Sequence, residues 1–151
     1  MHQERPHEID ACGVGFVASR TGTPEHGILT SGLHALACVE HRGGVLSDGV
    51  TGDGAGVMTD IPFELFGFAP DSVVVASLFL MTPTDRRALA LETFENTFAF
   101  MGLKVTGYRA VPHDVSVLGP KARDSMPELL HAFIERPSFC RTDSSLNQLL
   151  Y

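Results

Sequence analysis

Cys12 stands in Ala11-Cys12-Gly13-Val14-Gly15-Phe16, directly ahead of a run that reads as a strand. A thiolate is a stronger nucleophile than a serine hydroxyl, and near neutral pH it needs only a modest fall in pKa or a nearby base. Cleavage between Ala11 and Cys12 would supply that base. A freed α-amine has a reference pKa of roughly 7.7 to 8.0 and can accept the thiol proton. One residue would then carry both nucleophile and base. The competing reading is a small hydrophobe on a buried strand, the common fate of a free cysteine. A second constellation, His34, Cys38 and His41, falls on one side of a helical stretch and has the ligand types that zinc prefers. A metal usually draws on more than one element, so a polar outer face is the favoured reading of that trio.

These residues must be positioned by the elements around them. Met1 to Asp10 is polar and reads as an extended leader, and Gly13 to Ser19 alternates small and apolar residues as a half-buried strand does. From Glu25 to His41 the period becomes helical, with Ile28, Leu29, Gly32, Leu33, Leu36 and Val39 on one side. Six glycines then lie between Gly43 and Gly56. Val57 and Thr59 stand where a dinucleotide fingerprint would need its last glycine, and no Gly-Lys-Ser/Thr follows, so a nucleotide loop is excluded. Within Thr51-Gly52-Asp53-Gly54-Ala55-Gly56, Asp53 reads as a turn former that bonds its own backbone.

Farther along, Val57 to Asp60 reads as a short strand and Phe63 to Phe68 as a helical turn. Val73 to Met81 reads as a continuous apolar strand, buried on both faces if its sheet sits in a sandwich. Thr82-Pro83-Thr84-Asp85 is a helix start, and Leu91, Phe94, Phe98 and Met101 form the stripe of the helix that follows, closed by Gly102. Lys104 to Val111 reads as a strand with Val105, Gly107, Arg109 and Val111 on one face. Val115 to Asp124 reads as loop with a short turn. Met126 to Glu135 suits helix or strand and is read as strand, and Ser144 to Tyr151 begins a helix.

Composition narrows the function classes. With 151 residues, 44% hydrophobic and 19% charged, the chain is globular and has the length of one domain. A net charge of -7 with no basic cluster beyond Arg86-Arg87 argues against nucleic acid or an anionic membrane as partner. The longest apolar run, Val73 to Met81, is far below the about 20 residues of a membrane span. Cys12, Cys38 and Cys140 cannot all pair and lack metal or redox spacing, which points to reduced thiols and a cytoplasmic setting.

The order of these motifs resembles the opening of the class II glutamine amidotransferase domain of the glutamate synthase large subunit. Cys12-Gly13-Val14-Gly15-Phe16 resembles the mature N-terminus of that family, exposed when a short propeptide, here residues 1–11, is removed. Leu33-His34-Ala35-Leu36, His41-Arg42-Gly43-Gly44, Asp48-Gly49 and Thr51-Gly52-Asp53-Gly54-Ala55-Gly56 resemble its helix and glycine-rich loop. Gly107-Tyr108-Arg109-Ala110-Val111-Pro112 and Val117-Leu118-Gly119-Pro120-Lys121-Ala122 resemble two later signatures.

The resemblance implies an α+β fold, the Ntn-hydrolase αββα sandwich with antiparallel sheets, of which residues 12–151 would be only the N-terminal portion. It implies that Cys12 is the catalytic nucleophile that hydrolyses L-glutamine to glutamate and ammonia. It also implies that Arg42 anchors the substrate's α-carboxylate, a role suited to the planar fork of a guanidinium. No cofactor and no metal are expected in this chain. FMN and an iron-sulfur cluster would belong to the remaining synthase domains, which with a small reductase subunit would be its partners in aminating 2-oxoglutarate. The family's oxyanion-hole Asn-Gly and substrate-holding aspartate are expected beyond Tyr151. The alternative is a non-catalytic remnant acting as a binding or assembly module.

Overall fold

A computed structural model describes residues 13–70, 72–80 and 84–140. Cys12, the leader, the cap residues Thr82 and Pro83, and the helix expected from Ser144 lie outside the described residues. In chain order the elements are α1 (His26–Cys38), a 3-10 turn (Glu40–Arg42), α2 (Phe63–Phe66), β1 (Val73–Leu80), a second 3-10 turn (Thr84–Arg86), α3 (Arg87–Phe100), β2 (Lys104–Ala110), a third 3-10 turn (Val115–Val117), α4 (Pro120–Asp124) and β3 (Glu128–Glu135). They divide between two compact units, Met1–Asp60 with Leu118–Ala122 and Ile61–Val117 with Arg123–Tyr151.

The second unit is built on a three-stranded antiparallel sheet of order β1-β3-β2. The ambiguous stretch before Glu135 is therefore a strand, and it takes the central place. Its sequence explains why: Leu130, Ala132, Phe133 and Ile134 are all buried, whereas the edge strands are mostly half-buried or exposed, with Val73 their one buried residue. Paired residues share a face, so Leu130, Ala132 and Ile134 lie with Tyr108 and Ala110 under α3. Two polar ties fix that helix. The Tyr108 hydroxyl meets Glu95 at 3.0 Å, and Arg87 donates to both carboxylate oxygens of Glu128 at 2.6 and 2.8 Å. Burial, and then the Glu95 carboxylate, push the Tyr108 hydroxyl up to about 12, so it stays protonated and can donate.

On the opposite face the rings of Phe66 and Phe68 pack on Phe133 at 5.4 and 4.8 Å, and Phe66 meets His131 edge-on. α3 turns its stripe of Leu91, Phe94, Phe98 and Met101 inward, with the two phenyl rings 4.6 Å apart. It ends as its sequence requires. Gly102 takes a left-handed φ of 75°, which lets Leu103 N–H reach back to the Phe98 carbonyl at 2.9 Å.

Four expectations are corrected. Gly13 to Ser19 and Val57 to Asp60 are extended but form no strand, because no partner strand for either occurs among the described residues. Phe16 and Met58 are accordingly 94% and 98% exposed. Val73 to Leu80 is not buried on both faces: it is an edge strand, with Ser77 and Phe79 exposed. Finally, a bulge at Thr106 shifts the register between Val105 and Gly107, so Val105 pairs with Ile134 while Gly107 and Arg109 pair with Phe133 and His131 on the other face. The α+β class stands, with one antiparallel sheet among the described residues.

Truncating the ring at the centre of the sheet should be costly. Phe133→Ala is expected to lower stability by about 3 to 5 kcal/mol, the usual range for emptying a phenylalanine site, and Arg87→Ala, at an exposed ion pair, should do far less. Hydrogen-exchange protection of the β3 amides in urea measures both.

Candidate functional site

The first unit organises around the loop that follows α1. Of the side its sequence marks as apolar, Ile28, Leu29, Gly32 and Leu36 on α1 and Val39 just past it are half-buried, whereas Leu33 is 51% exposed. His34, Cys38 and His41 are exposed on the other side, as a polar outer face. Cys38 Sγ lies 3.9 Å from His34 Nε2, while His41 Nδ1 turns back to the Cys38 carbonyl at 3.1 Å. No group of three His, Cys, Asp or Glu side chains suited to a metal occurs among the described residues.

Arg42 closes the 3-10 turn. Its N–H donates to the Val39 carbonyl and Gly43 N–H to the Glu40 carbonyl, both at 2.9 Å. Among the described residues its guanidinium makes no hydrogen bond or ion pair. Gly13, the neighbour of Cys12 in sequence, lies against this side chain. A Cβ on Gly13 would stand 3.6 Å from Arg42 Cδ and 3.3 Å from Val39 Cβ. The start of the described chain and the His-Arg-Gly turn, distant in sequence, are thus brought together.

The glycine-rich segment is a small closed loop rather than an open coil. Leu46 N–H donates to the Thr51 carbonyl at 2.7 Å, and Val45 bridges Gly52. Two carboxylates hold it. Asp48 accepts from the Val50 and Thr51 amides at 3.1 and 2.9 Å and from the Thr51 hydroxyl at 2.6 Å. These donors, the Thr51 hydroxyl first, lower the Asp48 carboxyl to about 2. Thr51 is only 6% exposed, and Gly119 abuts it so closely that a Cβ there would overlap the hydroxyl. Lys121 Nζ adds a bond to the Ser47 hydroxyl.

Asp53 forms the other tie. It is not bonded to its own adjacent backbone, as its glycine neighbours lead one to expect. Its Oδ2 accepts the Gly44 N–H at 2.6 Å, while its own N–H donates to the Gly44 carbonyl at 3.1 Å. Sequence reading missed this pairing and the Asp48, Thr51 and Gly119 contact. The only signal for them was glycine at positions 44 and 119, where a side chain would collide.

Comparison with known proteins agrees in extent with these motifs. The family described as Glutamine amidotransferases class-II matches residues 12–151, a match that opens on Cys12. Ferredoxin-dependent glutamate synthase 1, chloroplastic/mitochondrial, of Arabidopsis thaliana is 36% identical over 152 residues, covering 94% of this chain and 9% of the relative. Ferredoxin-dependent glutamate synthase 2 of Synechocystis is 38% identical over 154 residues, covering 95% and 10%. Glutamate synthase [NADPH] large chain of Azospirillum brasilense is 36% identical over 132 residues, covering 81% and 9%. The chain therefore spans about a tenth of the length of these relatives.

The Asp48 carboxylate sets the acid limit of the loop. A carboxyl whose folded pKa is depressed stabilises the loop fully above its ordinary value and loses that contribution as pH falls through the depressed one. Protection of the Thr51 amide should hold from neutral pH to about 4 and decline between there and about 2. Amide exchange followed by NMR across that range checks it, and Asp48→Ala, which removes the acceptor, should be deprotected even at pH 7.

Proposed function

This chain belongs to the class-II glutamine amidotransferases, and on that premise we propose that it is the glutamine-hydrolysing opening portion of a glutamate synthase large subunit. Removal of residues 1–11 leaves Cys12 as the first residue. Its α-amine takes the thiol proton, and the sulfur attacks the side-chain amide carbon of L-glutamine. The C–N bond breaks, the amine returns the proton to the leaving nitrogen, and ammonia departs from a γ-glutamyl thioester. Water, deprotonated by the same amine, then cleaves the thioester to glutamate and free thiol. Arg42 holds the substrate's α-carboxylate through its guanidinium fork.

The observation that carries this reading is the contact between Gly13 and the Arg42 side chain. Gly13 follows Cys12 in sequence, and the Arg42 guanidinium has no bonded partner among the described residues. The family match beginning at Cys12 and the glutamate synthase relatives support the same reading.

The finer parts of the proposal rest on the resemblance of the motifs to the glutamate synthase large subunit. The described sheet is one part of an αββα sandwich, and the exposed extended stretches carrying Phe16 and Met58 are strands that gain partners in the longer protein. Ammonia passes to synthase domains elsewhere in that protein, where FMN and an iron-sulfur cluster serve the amination and reduction of 2-oxoglutarate. A small reductase subunit completes the assembly, which works in the cytoplasm. Among the described residues no helix is long and apolar enough to cross a membrane.

The test uses the full-length protein that carries this chain. Cys12→Ala should reduce glutamine hydrolysis by roughly 10³-fold or more, as removal of a nucleophile does. Arg42→Lys should raise KM for glutamine about 10- to 100-fold, the value of one hydrogen bond to a charged group. Steady-state ammonia release measures both. Hydrolysis that survives Cys12→Ala would refute the proposal.

A further inference from the structure

We propose that Asp53 is the residue that positions Arg42, and through it the substrate's carboxylate, during glutamine binding. The inference rests on the assignment of Arg42 as the carboxylate anchor.

Three consecutive amides fix the backbone on which the guanidinium is mounted. Those of Arg42 and Gly43 donate to carbonyls three residues back, the bonds of an ordinary tight turn that many sequences form. The amide of Gly44 is different. Its acceptor is the side chain of a residue nine positions farther on, at 2.6 Å. The same two residues are joined again by the Asp53 N–H to the Gly44 carbonyl. Removing the carboxylate would leave the 3-10 turn free to unwind at its C-terminal end, and an arginine with no other bonded partner among the described residues would swing with it.

Gly44 and Asp53 fit one another in shape as well. The three heavy atoms nearest a Cβ built on Gly44 all belong to the Asp53 carboxylate, at 2.6, 3.1 and 3.1 Å. A Cβ at position 44 would therefore displace the acceptor, and the pair should behave as a unit under mutation. The Asp48 carboxylate serves a different part of the loop, around Val50 and Thr51. Asp53 is the carboxylate bonded to the arm that carries Arg42.

Asp53 would not touch the reacting atoms, so its loss should appear in binding rather than in the chemical step. A group that holds substrate equally in ground and transition states raises KM and leaves kcat alone when it is displaced. In the full-length protein, Asp53→Ala should raise KM for glutamine about 10-fold or more with kcat within about 3-fold. Asp53→Asn keeps an oxygen that can accept the Gly44 amide and should recover much of the loss. Gly44→Ala alone should reproduce the Asp53→Ala defect, and Gly44→Ala combined with Asp53→Ala should be no worse than Asp53→Ala, because the Cβ then has room.

A purely structural role predicts otherwise: lower kcat in proportion to folded protein, with KM unchanged. That pattern overturns the positioning role while leaving Cys12-dependent hydrolysis in the unaltered protein intact. Absence of Cys12-dependent hydrolysis in the unaltered protein would overturn the glutaminase reading and this inference together.

Discussion

The hydrogen bonds that two aspartates make to loop amides are the constraint on which the candidate site depends. A glycine-rich segment loses much conformational entropy on ordering, and in the first unit no apolar side chain is buried among the described residues to compensate it. Asp48 and Asp53 supply the order instead. Each offers an ionised oxygen to backbone N–H donors, the stronger class of hydrogen bond, and each closes a turn that the glycines alone would leave open. The density of glycine and the placement of the carboxylates answer one another: glycine at 44 and 119 lets other groups come close, and the acids and Thr51 fill the space.

The second unit is held by the opposite means. Its buried residues are apolar, concentrated on the central strand and the rings laid over it, and its polar ties lie at the exposed margin of the sheet. Both outer strands present unpaired edges among the described residues, and Phe79 and Phe100 remain exposed. Free edges and bare aromatic surface are liabilities that proteins ordinarily cover.

Much of this was legible in the sequence where a single period governs a long stretch. Most of the apolar side of α1, the stripe of α3 and its glycine stop, and the strands ending at Leu80 and Ala110 follow from local pattern, whereas the stretch ending at Glu135 suits helix or strand until its pairing on both sides decides it. What was not legible depends on partners far along the chain. Alternation at Gly13 to Ser19 signals a strand, but a strand exists only beside another strand. The bulge at Thr106 is set by pairing with β3, where its hydroxyl meets the Phe133 carbonyl at 3.1 Å, and alternation alone cannot reveal it. Asp53 was read as bonding locally because glycines flank it, whereas its acceptor role is fixed by Gly44 across the loop. For the candidate site, Cys12 and Arg42 were chosen from residue type and family resemblance. The closeness of Gly13 to Arg42 emerged only from the fold.

The central claim is that sulfur at position 12 forms a covalent bond to the side-chain amide carbon of glutamine. Acid quenching of the full-length protein shortly after mixing with glutamine, followed by peptide mass spectrometry, tests it most directly. The account predicts a γ-glutamyl group on a peptide that begins at Cys12. Ammonia release accompanied by no adduct on that peptide, with hydrolysis persisting when the thiol has been alkylated, would contradict it.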